Sequence, residues 1–436
     1  MSLRLATISY AIAIIVIPIS VASKSLLGLD NITWVDPTLI FALISMIFLI
    51  PKWGDFFSGR LQIITFACIA MMAVTSICTM SGLALKPTDS LYDVLREPVR
   101  LGLNLSWMLV SCWFLVHNPK IISRFAVISV IFALLTGIYL TLVVFGIAPA
   151  SQDVTAYMRI YFLRQIISFN GTLVPRMGGL FIEAPPFGLY MFSMLTVLVI
   201  LRKHNIHSRW SVLGVWVAAL GMLLSMADQV LIGSFAWAIV SIPSLKGRSS
   251  KLIWVLAVIA SVIIGGFEIR TIILKEQSAG GKIATDINGS SIGERDFHLR
   301  YGMSLLQAMP AATILGIGPG RYGEYAAETG NYPDTVNMQI TEPEILVEWG
   351  VLGLLFWIIL LYFIAIQAWR NYGFPGIGLV LGLLIADSFQ ANWKYEAVFL
   401  AIAVLCTPRS TNLEERAERK DLPPIAGLRI VNGAEA

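Results

Sequence analysis
The chain has 436 residues, 57% of them hydrophobic and only 13% charged, with a formal net charge of +4. A soluble domain carries about 25% charged residues. Here the apolar residues come in blocks rather than on alternating faces, so the composition excludes an ordinary soluble domain and requires a bilayer as solvent. The net charge is spread over many short connections and carries no signal for nucleic acid. Cys68, Cys78, Cys112 and Cys406 lie in or at the ends of apolar runs, with no CxxC pair. They read as small buried hydrophobes, with no disulfide or metal site implied.

Twelve apolar runs follow one another, near 4–23, 37–51, 61–82, 101–117, 125–147, 186–202, 211–227, 230–245, 252–267, 343–369, 374–391 and 395–406. A straight crossing needs about 20 apolar residues, so the expected fold is all-α and polytopic, with about twelve membrane helices. The first run has no A-x-A cleavage pattern after it and reads as a retained span. Asp228-Gln229 marks a turn inside what would otherwise be one long run.

Alternate connections carry Lys52 and Arg60; Lys120 and Arg124; Arg202, Lys203 and Arg209; Lys246, Arg248 and Lys251; and Arg370. By the positive-inside rule that side is the cytoplasm, which places both termini there. The tail 407–436 is charged, proline-bearing and expected to be partly disordered. The two longest connections, 148–185 and 268–342, then share the non-cytoplasmic side. The chain divides into spans one to nine (1–267), the large loop (268–342), spans ten to twelve (343–406) and the tail.

A loop as long as 268–342 between spans points to function. Within it, Ser291-Ile-Gly-Glu294 fits a capping box that opens a helix. Phe297, Tyr301, Leu305 and Met309 repeat along one face of that helix, and Pro310 ends it. Glu294 and His298 are four apart and can meet. The cluster Gly316-Ile-Gly-Pro-Gly-Arg321 has two readings. Its backbone N–H groups suit a phosphate, but it lacks the Walker lysine, and a tight turn back to the membrane is the simpler reading.

Arginine presents a rigid fork that suits diphosphate oxygens. Loop 148–185 offers Arg159, Arg164 and Arg176, and the large loop offers Arg295, Arg300 and Arg321. The plainer reading is solvated loop charges paired with nearby acids. Glu183, just before the sixth span, and Glu342, at the start of the tenth, are candidate acid, base or hydroxyl-binding groups, as is His298. Glu348 and Asp387 lie deeper, where an ionisable group is costly and a functional candidate. Asp228 reads as a turn residue.

Three segments together resemble the O-antigen polymerase and ligase superfamily of bacterial inner membranes. The first is Arg176-Met-Gly-Gly-Leu-Phe-Ile-Glu-Ala-Pro-Pro-Phe-Gly-Leu-Tyr190, similar to the family's Arg-x-x-Gly-x-Phe-x-Glu-Pro-Ser run. The second is Gly293-Glu-Arg-Asp-Phe297 with Ala308-Met-Pro-Ala-Ala-Thr-Ile-Leu-Gly-Ile-Gly-Pro-Gly320. The third is Glu342-Pro-Glu-Ile-Leu-Val-Glu-Trp-Gly-Val-Leu-Gly353, similar to Leu-x-Glu-x-Gly-Leu-x-Gly. The resemblance covers roughly 170–370. It implies a GT-C-like membrane glycosyltransferase, independent of metal and cofactor, with its large periplasmic loop between helices nine and ten. Such an enzyme passes a glycan from undecaprenyl diphosphate to an acceptor glycan hydroxyl.

The resemblance further implies that Arg176 and Arg295 hold the donor diphosphate, with Glu183 carried over from the polymerase-like first motif. Membrane lipid, a chain-length regulator and other polysaccharide-assembly proteins are the implied partners. Two departures matter. Ligases place a histidine where this chain has Gln339-Ile340, and the family's Ser-Arg at an outward hairpin is replaced by Asp228-Gln229. A polymerase is therefore expected over a ligase that transfers to a lipid or protein. A flippase or transporter is the alternative of another class, and no repeat relates 1–200 to 201–406.

Overall fold
A computed structural model describes residues 2–19, 36–58, 61–87, 91–150, 166–169, 172–181, 184–203, 209–242, 291–330, 338, 340–388 and 396–407. In chain order the helices are α1 (Ser2–Val16), α2 (Pro37–Phe48), α3 (Trp53–Phe56), α4 (Gln62–Leu85), α5 (Leu91–His117), α6 (Pro119–Val144), α7 (Ala184–Lys203), α8 (Ser211–Ser225) and α9 (Asp228–Ser241). After them come α10 (Ser291–Ala308), α11 (Ala312–Leu315), α12 (Tyr322–Ala327), α13 (Thr341–Tyr372), α14 (Phe374–Ser388) and α15 (Glu396–Cys406). Every apolar run except 252–267, which lies outside the described residues, carries a helix. Among the described residues, five helices are long and apolar enough to cross a membrane, or six if the pair bent by 61° after Phe48 is one span. Pro51 sits in that bend, where its missing N–H and fixed φ break helical bonding.

The described residues are almost all helical, as expected, with one short β-hairpin added. Strands β1 (Ile166–Phe169) and β2 (Thr172–Pro175) form an antiparallel hairpin in register Phe169↔Thr172 and Ile166↔Pro175. In sequence, the intervening Asn170-Gly171 is a strong short hairpin signal.

One correction concerns the connection 83–100. It is mostly helix, since α4 runs to Leu85 and α5 begins at Leu91 with Pro98 inside it. Hydropathy placed the span start at 101 because Arg96, Glu97 and Arg100 look like loop charges. Glu97 is in fact buried, and Arg100 lies 3.8 Å from Asp36.

Helix α7 is the centre of the bundle. It is apolar nearly all round, the pattern of a helix buried on every side, and its residues from Phe187 to Leu201 are almost all buried. Hydroxyls and small residues tie the frame together, as expected where lipid removes the hydrophobic drive between helices. Ser129 Oγ and Tyr190 Oη share a 2.8 Å hydrogen bond between α6 and α7. Ser9 Oγ donates to Phe41 O at 2.7 Å, joining α1 to α2. Gly233 of α9 meets Gly382 of α14, where an added Cβ on either would strike the other's carbonyl.

The bundle has two unlike ends. One carries exposed Trp53, Trp210 and Trp369 beside Lys52, Arg209 and Arg370, the aromatic and basic mixture of a membrane interface. The other carries α10–α12, which pack around their own core of Leu305, Leu306, Ala312, Ile317, Tyr322, Tyr325 and Met338, with Val347 of α13.

Candidate functional site
The expected helix of the large loop spans Ser291–Ala308. Its buried face centres on His298, Leu305 and Leu306, with Tyr301 packed against that core. The apolar stripe is thus rotated slightly from the expected one, and His298 lies inside it. His298 Nδ1 is 2.9 Å from Tyr322 Oη, so the histidine meets α12 rather than standing open. Tyr301 Oη donates to Tyr325 O at 2.6 Å. Burial, and the Glu328 carboxylate, raise the Tyr301 hydroxyl above its ordinary pKa of 10.0. Burial also raises Tyr325, against the lowering effect of Arg321.

The glycine cluster is a turn docked on a broken helix. Helix α13 is interrupted at Gly350, whose φ of 66° and ψ of −169° release the carbonyls before it. Ile317 N donates to Val347 O at 3.0 Å and Gly318 N to Glu348 O at 2.9 Å. A Cβ at Gly316, where φ is 77°, would run into the Glu348 carbonyl, so only glycine fits this approach. The Glu348 carboxylate accepts from Gly320 N at 2.7 Å and Tyr322 N at 3.1 Å. It is the anion at the start of α12. The phosphate-cradle reading fails for this reason, because Glu348 and the α13 carbonyls take those N–H groups.

Arg321 is corrected as well. It is 1% exposed. Its Nη1 donates to Gly82 O at 2.6 Å, and its Nε and Nη2 donate to Glu324 at 3.1 and 2.7 Å. That engagement braces α12 against α4 in place of the expected diphosphate contact. Arg300 pairs with Asp296 at 2.9 Å on the exposed face of α10.

Arg176 sits over the tip between α8 and α9. Met177 N donates to Leu224 O at 3.0 Å, and Arg176 Nη2 donates to Asp228 Oδ1 at 3.1 Å. The tip itself turns through Met226, the one non-glycine residue with positive φ among those described (46°). Left-handed backbone at a residue other than Gly, Asn or Asp is uncommon. Asp228 is therefore more than a turn residue, since it fixes the Arg176 guanidinium.

Helices α9 and α14 run antiparallel, with Trp237 facing Gly378 and Gly233 facing Gly382. That register brings Asp228 level with the end of α14, where Asp387 is buried. Thr341 Oγ1 donates toward Asp387 O and Oδ2 at 3.3 and 3.4 Å. Glu342 follows, half-buried in the first turn of α13, and buried Glu344 accepts from Met338 N at 3.3 Å. Another buried set closes the same end of the bundle. The Glu396 and Asp36 carboxyls lie close enough to interact, Arg100 is 3.8 Å from Asp36, and Trp107 Nε1 donates to Glu396 O at 2.9 Å.

The structure thus gathers Arg176, Arg321, His298 and Glu342 at the loop-bearing end. Arg159, Arg164 and Glu183 lie outside the described residues, and Arg295 belongs to α10 with its side chain outside them. Sequence reasoning missed Asp36, Glu97, Arg100 and Glu396, and underrated Asp228. Glu97 pairs with the neighbouring Arg96, but the partners of the others lie 52 or more residues away, so only an ionisable residue beside an apolar run hinted at them. Among the described residues no three His, Cys, Asp or Glu side chains group as metal ligands. No family model and no curated protein matches the chain.

Proposed function
We propose that the chain is a bacterial inner-membrane polysaccharide polymerase with about twelve spans and a GT-C-like fold. It transfers a glycan from undecaprenyl diphosphate to an acceptor sugar hydroxyl on the side that bears the large loop. One observation carries the reading. The second and third motif segments, separate in sequence, act as one unit, because Glu348 of the third holds Gly320 at the end of the second and Tyr322 just after it.

The acceptor oxygen attacks the anomeric carbon, the bond to diphosphate breaks, and undecaprenyl diphosphate leaves as the acceptor proton passes to a base. Fixed guanidinium groups stabilise the departing charge without reorganising. Arg176, held by Asp228, and Arg295 take that role, with Arg159, Arg164 and Arg300 as further cations near the headgroup layer. Glu183 and Glu342 are the leading bases, which contribute about 100- to 10,000-fold. His298 ranks behind them because it is buried against Tyr322.

Transfer to a lipid or protein acceptor uses the same chemistry, and the absent ligase histidine weighs against it. Broken helices are also a transporter feature. The carbonyls released at Gly350, however, take N–H groups of the docked turn, where a transporter would offer them to an ion.

The test is the surface polysaccharide of a deletion strain rescued by wild type, Arg176→Ala or Arg295→Ala. Single-repeat glycan without long polymer in both variants, at normal protein level, is the expected result. Undecaprenyl-linked polymer that never reaches its acceptor would identify a ligase. Lipid-linked repeats held on the cytoplasmic face would identify a flippase.

A further inference from the structure
Helix α11 is a short apolar element within the large loop. Its Ile314 is 65% exposed, and Thr313 beside it is exposed too. Helix α10, which ends just before it, instead presents Asp296, Arg300, Ser304 and Gln307 to the outside. A lone exposed isoleucine needs no explanation by itself. Its depth in the molecule decides which medium it meets.

That depth follows from the two helices that hold α11. A Cβ at Gly82 of α4 would strike Ile317 O, and one at Gly350 of α13 would strike Ile314 O. Cys78 Sγ lies 3.5 Å from Trp349 O, so the ends of α4 and α13 and the segment 314–317 share one level. From Val351 to Arg370, at the aromatic and basic end, α13 has 20 residues, about 29 Å at 1.5 Å per residue. Helix α4 starts at that same end, where Thr65 Oγ1 donates to Phe56 O of α3 at 2.8 Å. From Gln62 to Gly82 it has 21 residues, about 30 Å of helix. The hydrocarbon core of a bilayer is about 30 Å thick. Both helices thus set α11 at the far edge of the hydrocarbon. The flanking surface agrees, since Met80 of α4 and Val351, Leu352 and Leu355 of α13 are exposed.

Chain at that depth must satisfy its own backbone polar groups, and the turn after α11 does so. Gly316 N donates to Ala312 O, Ile317 N to Val347 O, Gly318 N to Glu348 O, Gly320 N to the Glu348 carboxylate and Arg321 N to Gly318 O. Pro319 has no N–H to satisfy. We propose that α11 inserts among the acyl chains of the leaflet on the loop-bearing side, with Ile314 as the inserted side chain. Acyl chains are the occupant because the lipid-facing surface of α13 continues from Val351 onto Ile314. The large loop is then anchored in the bilayer as well as on the bundle, and its glycine turn is held at headgroup depth. The inference stands whether or not the glycosyl-transfer reading does, because its test reads depth alone.

The experiment places a nitroxide on Ile314→Cys in the full-length protein, reconstituted in phosphatidylcholine nanodiscs. It compares collisions with oxygen, which concentrates in hydrocarbon, and with a neutral nickel chelate, which stays in water. The four native cysteines are buried and stay unlabelled. Leu355→Cys in the span and Ser304→Cys on α10 are the two references. Oxygen should dominate at Ile314→Cys, as at Leu355→Cys, and the order should reverse at Ser304→Cys. A second readout leaves the chain unaltered. Phosphatidylcholine with a photoreactive group in its acyl chain should label 312–315 of the wild type, as peptide mapping reads it, and spare 296–304. A chelate-dominated signal at Ile314→Cys, or acyl labelling of 312–315 no stronger than of 296–304, would overturn the proposal and leave Ile314 facing water or a protein partner.

Discussion
Glu348 is where one side chain decides most. It is buried in α13, yet its carboxylate serves the backbone of a turn 26 to 28 residues earlier. Removing it leaves two N–H groups without their acceptor, at about 1–3 kcal/mol for each that stays dry. Glu348→Ala should therefore loosen the 316–322 turn, seen as faster protease cleavage in the large loop while the bundle stays folded. Glu348→Gln, which keeps one carbonyl acceptor, should fall between. The two loop tyrosines set a pH dependence of known sign. Their folded-state pKa values are raised above the ordinary 10.0, so the folded loop prefers the protonated phenols. Their stabilisation is complete below pH 10.0 and is lost as pH rises through the raised values. Loop cleavage should accelerate on the alkaline side, and Tyr301→Phe should reduce that pH sensitivity while costing about 1 kcal/mol for the lost bond to Tyr325 O.

Elements in this fold meet through missing side chains as much as through present ones. The Gly233–Gly382 contact lets α9 and α14 touch backbone to backbone, the close approach that small residues permit between membrane helices. Gly233→Leu must part the two helices or expel the new side chain. Overpacking of this kind costs about 1–3 kcal/mol. The expected result is a lower melting temperature in detergent, together with a weakened Arg176–Asp228 pairing, because Asp228 opens α9. The break in α13 is a second such device. Gly350 holds positive φ where a Cβ would press on Ile314 and Gly316, so Gly350→Ala should undock the glycine turn and mimic Glu348→Ala in the protease assay. Equal loop protection in that variant and wild type would remove the turn-on-broken-helix account.

For the whole molecule, the opposed ends make a topology prediction. All four cysteines are buried, so the folded wild type should resist membrane-impermeant maleimide. Ser304→Cys on the loop-bearing end and Lys120→Cys at the basic end should then label from opposite sides of the membrane. Labelling of both from one side would contradict the charge-based orientation. Buried acids gather at the loop-bearing end, from Asp36 and Glu396 through Glu348 to Asp387, while the other end keeps exposed aromatic and basic residues. That asymmetry fits the proposed reading, in which the loop-bearing face carries the chemistry.

Hydropathy alone determined the membrane class and the position of nearly every helix, because burial in lipid demands long uninterrupted apolar runs whatever the tertiary contacts. The capping box and Pro310 likewise bounded α10, since capping and proline effects act within a turn or two. The Asn170-Gly171 hairpin signal was equally local, but the sequence reading did not use it. What only the tertiary structure decided were the partnerships across long sequence distances. Glu348 captures a turn, Arg321 is braced inside rather than aimed at a ligand, Asp228 holds Arg176, and Glu97 and Arg100 lie in a helix instead of a loop. A charged residue beside an apolar run reads the same in sequence whether it faces solvent, substrate or a buried counterpart. Its role is fixed by which distant group the packing brings within hydrogen-bond reach, and no local pattern encodes that distance.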